Sequence, residues 1–213
     1  MNMNLKKTRR KALSPLKLRR HILHMLLGFS ILYIAKNYYW NIRWILFTIL
    51  AVGMLLSLLS LRFKLPFVYF MLKKFEKPQY IRKFPGKGAL FFIAGCLLVL
   101  KLFPKSMAFA SIAILTFADP IASISGVIFG RLAHRKPFNT LKKIEGTIVG
   151  AAVGIFAASF FVSYTEAIVA SIAAMIAEAL TLRLGGDFVD DNISVPLAAA
   201  TAMYLKFKLF PLI

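Results

Sequence analysis

Carboxylates are scarce in this sequence: 8 Asp and Glu stand against 28 Lys and Arg, a net charge of +20 over 213 residues. A chain so basic invites a nucleic-acid reading, but 59% of its residues are hydrophobic and its mean hydropathy is +0.72. Neither a soluble domain nor a nucleic-acid binder of this length is so apolar, and the two facts together describe a membrane protein with basic aqueous faces. Cysteine is nearly missing as well. Cys96 stands alone in an apolar run, so the chain has no internal disulfide and the residue reads as a small packing group. The patterns G-x-x-x-x-G-K-[ST], G-x-G-x-x-G and H-E-x-x-H are all absent, which removes support for P-loop, protein-kinase-like and zinc-protease chemistry.

What the sequence does have is apolar length. Seven segments (21–39, 43–61, 88–103, 106–130, 146–163, 166–182 and 194–211) approach the roughly 20 residues needed to cross hydrocarbon. Their runs lack period-2 alternation, so the spans are helices rather than barrel strands. The expected fold is all-α: a polytopic membrane protein of about seven transmembrane helices. Lys and Arg concentrate in the N-terminal arm and in the second, fourth and sixth loops, leaving only Lys36, Arg43, Lys101, Lys105, Lys206 and Lys208 to the other side. The positive-inside rule then places the N-terminus in the cytoplasm and the C-terminus outside. The chain divides into a basic cytoplasmic arm, 1–20, and a single transmembrane catalytic domain, 21–213. Within the latter, 62–87 reads as a cytoplasmic interfacial segment, basic with interleaved aromatics. The expected location is the cell membrane of a prokaryote.

Against this background a carboxylate inside the fourth span is conspicuous. Asp119 would cost roughly 2.5–3.5 kcal/mol at the centre of a membrane helix, and such residues usually face a protein interior or wet cavity and mark a functional site. Asp119-Pro120 also reads as a helix restart, with aspartate as cap and proline as first helical residue, so the fourth span is expected to break or kink there. Ser123, Gly126 and Gly130 follow at spacings that keep them on the face of Asp119. A helix-packing stripe of small residues explains the glycines but leaves the acid unexplained.

Further constellations fall on the same cytoplasmic side. "KKIEGT" sets Lys142, Lys143 and Glu145 before a helix start at Gly146 and Thr147, a combination suited to phosphate oxygens and a divalent cation. "GGDFVDDNISVP" crowds Asp190, Asp191 and Asn192, oxygen donors that favour a hard cation such as Mg²⁺, with helix capping by Asn192 or Ser194 as the alternative. Glu178 is expected to point into the same cavity from the sixth span. Arg20 and His24 share one face at the cytoplasmic end of the first span. Acids, lysines, an arginine and helix N-termini near one leaflet suit phosphoryl or nucleotidyl transfer, where catalysis is chiefly positioning and charge neutralisation.

Four of these pieces, in order, resemble the CTP-dependent lipid kinases, the family of dolichol kinase, phytol kinase and the CTP-using diacylglycerol kinase. Arg20 to His24 is similar to that family's R-K-x-x-H, and Asp119 through Ala122, Ser123, Gly126 and Gly130 to its D-x-x-A-S-x-x-G-x-x-x-G. Lys142 to Thr147 is similar to K-S-x-E-G-S/T, and Asp190 to Pro196 to D-D-N-x-x-x-P. His21 stands where the family usually has lysine, and Lys143 where it often has serine.

The resemblance implies transfer of the CTP γ-phosphoryl group to the hydroxyl of a membrane lipid alcohol, polyprenol-like or diacylglycerol-like. It implies catalytic roles for Asp119, Lys142 and Glu145, and phosphate binding by Arg20, His24, Ser123, Gly126, Gly130, Lys143, Gly146, Thr147 and Asn192. Mg²⁺ would be held among Asp119, Glu145, Glu178, Asp190 and Asp191. The implied partners are the lipid alcohol, CTP and anionic lipid headgroups, with no nucleic acid. Two alternatives stand beside this reading: a cytidylyltransferase making a CDP-lipid, and a non-catalytic transporter or lipid-binding protein.

Overall fold

Each of the seven apolar segments becomes a helix, the form in which a segment satisfies its own backbone polar groups. A computed structural model describes residues 13–63, 65–180, 183–184 and 187–209, with 183–184 and 187–188 described as backbone. Residues 1–12 of the expected arm, Lys64 and Gly185 of "GGDFVDD", and the end of the seventh segment at Pro211 lie outside the described residues. The long helices are α1 (Pro15–Asn37), α2 (Tyr39–Arg62), α5 (Lys87–Leu102), α6 (Lys105–Ile128), α7 (Ile144–Ala158), α8 (Tyr164–Ala179) and α9 (Asp191–Leu209). Between α2 and α5 lie the short α3 (Pro66–Phe75) and α4 (Pro78–Ile81). Between α8 and α9, β1 (Arg183–Leu184) and β2 (Asp187–Phe188) pair antiparallel, Arg183 opposite Phe188.

Local chemistry sets the ends. Ser14 caps α1 by accepting from the Lys17 N–H at 3.3 Å with Pro15 at the first helical position, so the helix starts before the expected boundary at residue 21. The last part of the expected arm is therefore helix. α8 opens on a capping box formed by Ser163 and Glu166.

Among the described residues two helices, α2 and α6, are long and apolar enough to cross a membrane. They occupy opposite environments. Only Ile42, Leu46 and Ser57 of α2 are buried, whereas α6 is buried along most of its length and packs against α1, α5, α7, α8 and α9. The central post is thus the helix that carries Asp119.

The expected break is not there. α6 runs through Asp119-Pro120 as one helix. Proline withdraws one backbone donor, and membrane helices accommodate this where neighbouring groups meet the backbone. Here α1 braces α6 on either side of the proline, His24 Nε2 donating to the Leu115 carbonyl at 2.9 Å and Lys17 Nζ to that of Ser123 at 3.4 Å. Neither bond reaches the Thr116 carbonyl that Pro120 deprives of its helical donor.

Glycines let the neighbours close in on the post. A Cβ on Gly146 would lie 2.5 Å from the Ala122 carbonyl oxygen, and one on Gly150 would lie 2.6 Å from the Ala122 Cβ. One on Gly154 would lie 2.3 Å from Ser171 Oγ of α8. Spaced four apart, these glycines form the seam of small residues that brings α7 against α6 and α8.

Candidate active site

At one end of the bundle the helices surround a cavity of about 900 Å³, at the upper end of the range of small-molecule sites. α1 contributes Lys17, Arg20, His21 and His24; the α3–α5 region contributes Glu76, Lys77, Tyr80 and Lys87. The opposite wall holds Asp119 and Ser123 of α6, Lys142, Glu178 of α8, and Asp190, Asp191 and Asn192 at the start of α9. Five of the chain's 8 acids (Glu76, Asp119, Glu178, Asp190 and Asp191) therefore line one recess in a protein of net charge +20.

Lys142 organises the acidic wall. Its ammonium lies 2.7 Å from Glu178 Oε1 and 2.9 Å from Asp191 Oδ2, and it also donates to the Glu178 carbonyl. The loop between α6 and α7 brings it there through a backbone pairing of Phe138 with Leu180 and a hydrogen bond from Asn139 N–H to the Ala179 carbonyl, 2.8 Å. Burial works to lower the pKa of Lys142, but Glu178, Asp191 and Asp119 together raise it above the usual lysine range. It stays a cation at any physiological pH.

The start of α9 is built by Asp190, which caps the helix in place of Asn192 or Ser194. Its carbonyl accepts from Ile193 and Ser194, while its Oδ1 accepts from the Asn192 backbone N–H at 3.2 Å and from Asn192 Nδ2 at 2.8 Å. Lys87 Nζ approaches Asp190 Oδ2 to 3.9 Å and lies over the rings of Tyr80 and Phe91. Behind this turn a Cβ on Gly95 would fall 2.1 Å from the Asn192 carbonyl oxygen, so α5 seats the turn by direct backbone contact.

On the α1 wall, His24 is held by its bond to Leu115 and an edge contact with Phe92, centroids 4.4 Å apart. His21 Nε2 is buried with no hydrogen-bond partner among the described residues. Glu76 closes the near side, accepting from Lys77 N–H at 2.8 Å and Gly88 N–H at 3.3 Å. No hydrogen bond among the described residues reaches the Asp119 carboxylate, which leaves it to the cavity.

Of the residues singled out from the sequence, Arg20, His24, Asp119, Ser123, Lys142, Glu178, Asp190, Asp191 and Asn192 line this one space. Gly126, Gly130, Lys143, Glu145, Gly146 and Thr147 do not. Gly126 and Gly130 pack against Lys143, and Gly146 against Gly126. Thr147 Oγ1 bonds His134 Nε2 at 2.9 Å. Glu145 Oε1 accepts from the N–H groups of Arg131 and Leu132, at 2.8 and 3.0 Å. Backbone N–H groups of its own residue, Leu132 and Arg131 hold its carboxyl below the usual carboxylate range. Of the five acids expected at a metal, Asp119, Glu178, Asp190 and Asp191 line the cavity and Glu145 does not; among the described residues no three His, Cys, Asp or Glu side chains already lie close enough together to hold an ion.

The chain is similar to phytol kinase 1, chloroplastic, of Arabidopsis thaliana. They are 30% identical over 138 residues, which is 57% of this chain and 44% of that protein. The chain thus spans less than half the length of the curated relative it matches. No family model matches the sequence, and no solved structure matches it.

Sequence reasoning missed Lys17, His21, Glu76, Lys77 and Lys87 as cavity residues. For Lys17 a signal was present, since Lys17, Arg20 and His24 fall at the three- and four-residue spacings of one helical face, and Ser14-Pro15 marks the helix start. Glu76, Lys77 and Lys87 come from a basic, aromatic segment whose local pattern reads as surface.

Proposed function

We propose that the protein is a lipid-alcohol kinase, transferring the γ-phosphoryl group of CTP to the hydroxyl of a polyprenol-like or diacylglycerol-like membrane alcohol. The observation that carries this reading is the gathering of five acids with Lys17, Arg20, Lys77, Lys87 and Lys142 around one cavity in a chain otherwise poor in acids. The similarity to phytol kinase 1 supports it, and the family resemblance of the sequence supports CTP as donor. In this reading seven helices cross the bilayer and the basic arm and loops set the cavity mouth at the cytoplasmic face.

The cations bind and orient the triphosphate, acting by charge neutralisation on the transferring group. Asp119 faces the lipid hydroxyl, holds it in line and takes its proton as the oxygen attacks the γ-phosphorus. The bond from that phosphorus to the β,γ-bridging oxygen breaks, and CDP leaves. Asp190 and Asp191 offer the hard oxygens that suit Mg²⁺, an ion commonly held by one or two carboxylates together with substrate phosphates. When bound, it neutralises phosphate charge.

The test is a purified-protein assay with γ-labelled CTP or ATP, Mg²⁺, and a panel of prenols and diacylglycerol. Label is expected in lipid from CTP. No label in any lipid refutes the kinase, and pyrophosphate release on adding phosphatidic acid would replace it with the cytidylyltransferase.

A further inference from the structure

Polar groups line most of the cavity, but α3 contributes an apolar patch to it. Where α6, α8 and the start of α9 present carboxylates and the α6–α7 loop presents Lys142, α3 presents Val68, Met71, Leu72 and Phe75. Beside it, between α1 and α3, lies a second groove of about 270 Å³, lined by Arg19, Ile22, Leu23, Leu26, Lys74 and Phe75. Leu23 and Phe75 belong to both spaces, so the groove continues the apolar side of the cavity outward. Its floor is open to the surroundings, with Ile22 45% and Leu26 60% exposed one helical turn apart. None of the ten residues of α3 is fully buried: Val68, Leu72 and Phe75 are half-buried and the other seven are exposed. In the membrane reading, the exposed face of so apolar a helix meets hydrocarbon.

We infer that the hydrocarbon chain of the lipid alcohol leaves the cavity between Leu23 and Phe75 and lies in the α1–α3 groove on Ile22 and Leu26. This rests on the lipid-alcohol reading of the cavity. The occupant is one amphiphilic molecule, its hydroxyl facing Asp119 and its chain running outward. A small polar ligand gains nothing from an apolar groove that opens off its site, whereas a chain gains about fourfold in affinity for each methylene seated. Arg19 and Lys74 flank the groove, and Lys74 Nζ lies over the rings of Phe70 and Phe75, 5.8 and 5.6 Å from their centroids. Such cations, with apolar stems and charged tips, fit the level of lipid headgroups.

The full chain in lipid nanodiscs is irradiated with a twenty-carbon prenyl alcohol carrying a diazirine at its tail end, and adducts are mapped by mass spectrometry. Saturable labelling of Ile22, Leu26 and the Lys74–Phe75 turn is expected, competed by unlabelled alcohol. Leu26→Trp fills the groove and displaces about two methylenes, weakening binding of the twenty-carbon alcohol about tenfold or more while moving that of a five-carbon alcohol less than about twofold. Adducts on α2 or α9, or labelling that does not saturate, overturn the inference. Phosphorylation of the same alcohols is followed in parallel. Groove labelling without phosphate transfer keeps the groove and removes the kinase; transfer with adducts elsewhere does the reverse.

Discussion

Replacing Lys142 with methionine isolates the electrostatic logic of the cavity. The Glu178 side chain is 5% exposed and that of Lys142 24%, so their 2.7 Å pair is largely removed from water. Deleting the cation strands a buried carboxylate, which costs about 3–5 kcal/mol. The second partner adds little, because Asp191 is 43% exposed and an ion pair at that exposure contributes about 0–1 kcal/mol. At about 2–4 °C per kcal/mol for a chain of this size, Lys142→Met should melt roughly 6–20 °C below the parent in detergent. Glu178→Gln should lose less, since Lys142 keeps Asp191 and partial access to water. The double variant Lys142→Met/Glu178→Gln should recover most of the loss, and a double-mutant cycle by thermal denaturation measures this coupling. The pH dependence follows from the raised pKa of Lys142. A raised cation contributes its full stability below its unfolded value, about 10.4, and loses it only as pH rises through the higher folded value. The lysine's own contribution is thus constant from pH 6 to pH 9, and the deficit of Lys142→Met should be larger at pH 9 than at pH 6, because a buried carboxylate without its cation is relieved by taking up a proton as pH falls. A single variant melting within about 2 °C of the parent would show that Glu178 is not held by Lys142.

Asp119→Asn should retain the parent melting temperature and lower turnover of the lipid alcohol by about 10²–10⁴, the usual worth of a positioned general base; unchanged label transfer would remove it from the reaction. Gly150→Ala should destabilise by about 1–3 kcal/mol through overpacking against Ala122 and Met175, although helix propensity alone predicts a gain of about 1 kcal/mol. A melting point that rises refutes the seam. Glu145 has a depressed carboxyl pKa, so its contribution is present above its unfolded value, about 4.3, and fades as pH falls through the folded value. The melting difference between the parent and Glu145→Gln should hold steady from pH 8 to 5.5 and shrink in stronger acid.

How far the sequence revealed this molecule varies with how local each feature is. The seven long helices were readable because apolar length and helix formation are properties of single segments. Asp119, Glu178 and the Asp190–Asn192 turn were readable as a group because acids are costly in apolar surroundings and scarce in this chain. At Pro120 the sequence suggested a break or a kink; the helix is unbroken there, and its braces on either side, His24 and Lys17, come from another helix and leave no local pattern. Gly126, Gly130 and Gly146 looked like a phosphate cradle because close approach to a ligand and close approach to a helix demand the same absence of a side chain. Glu76 and Lys87 enter the cavity only through the fold-back of α3 and α4, a tertiary event with no period to betray it.

The gathering of five acids in one recess also shapes kinetics. It leaves Glu145, Glu166 and Asp187 as the other carboxylates of the chain, so the rest of the aqueous surface attracts anions almost everywhere. In the proposed reaction the nucleotide polyanion is drawn in from a distance by the basic surface, and meets discrimination only on arrival, among the carboxylates and cations of the cavity. Capture is therefore a long-range process that should slow steeply with ionic strength, while selection among captured anions is short-range and largely insensitive to salt.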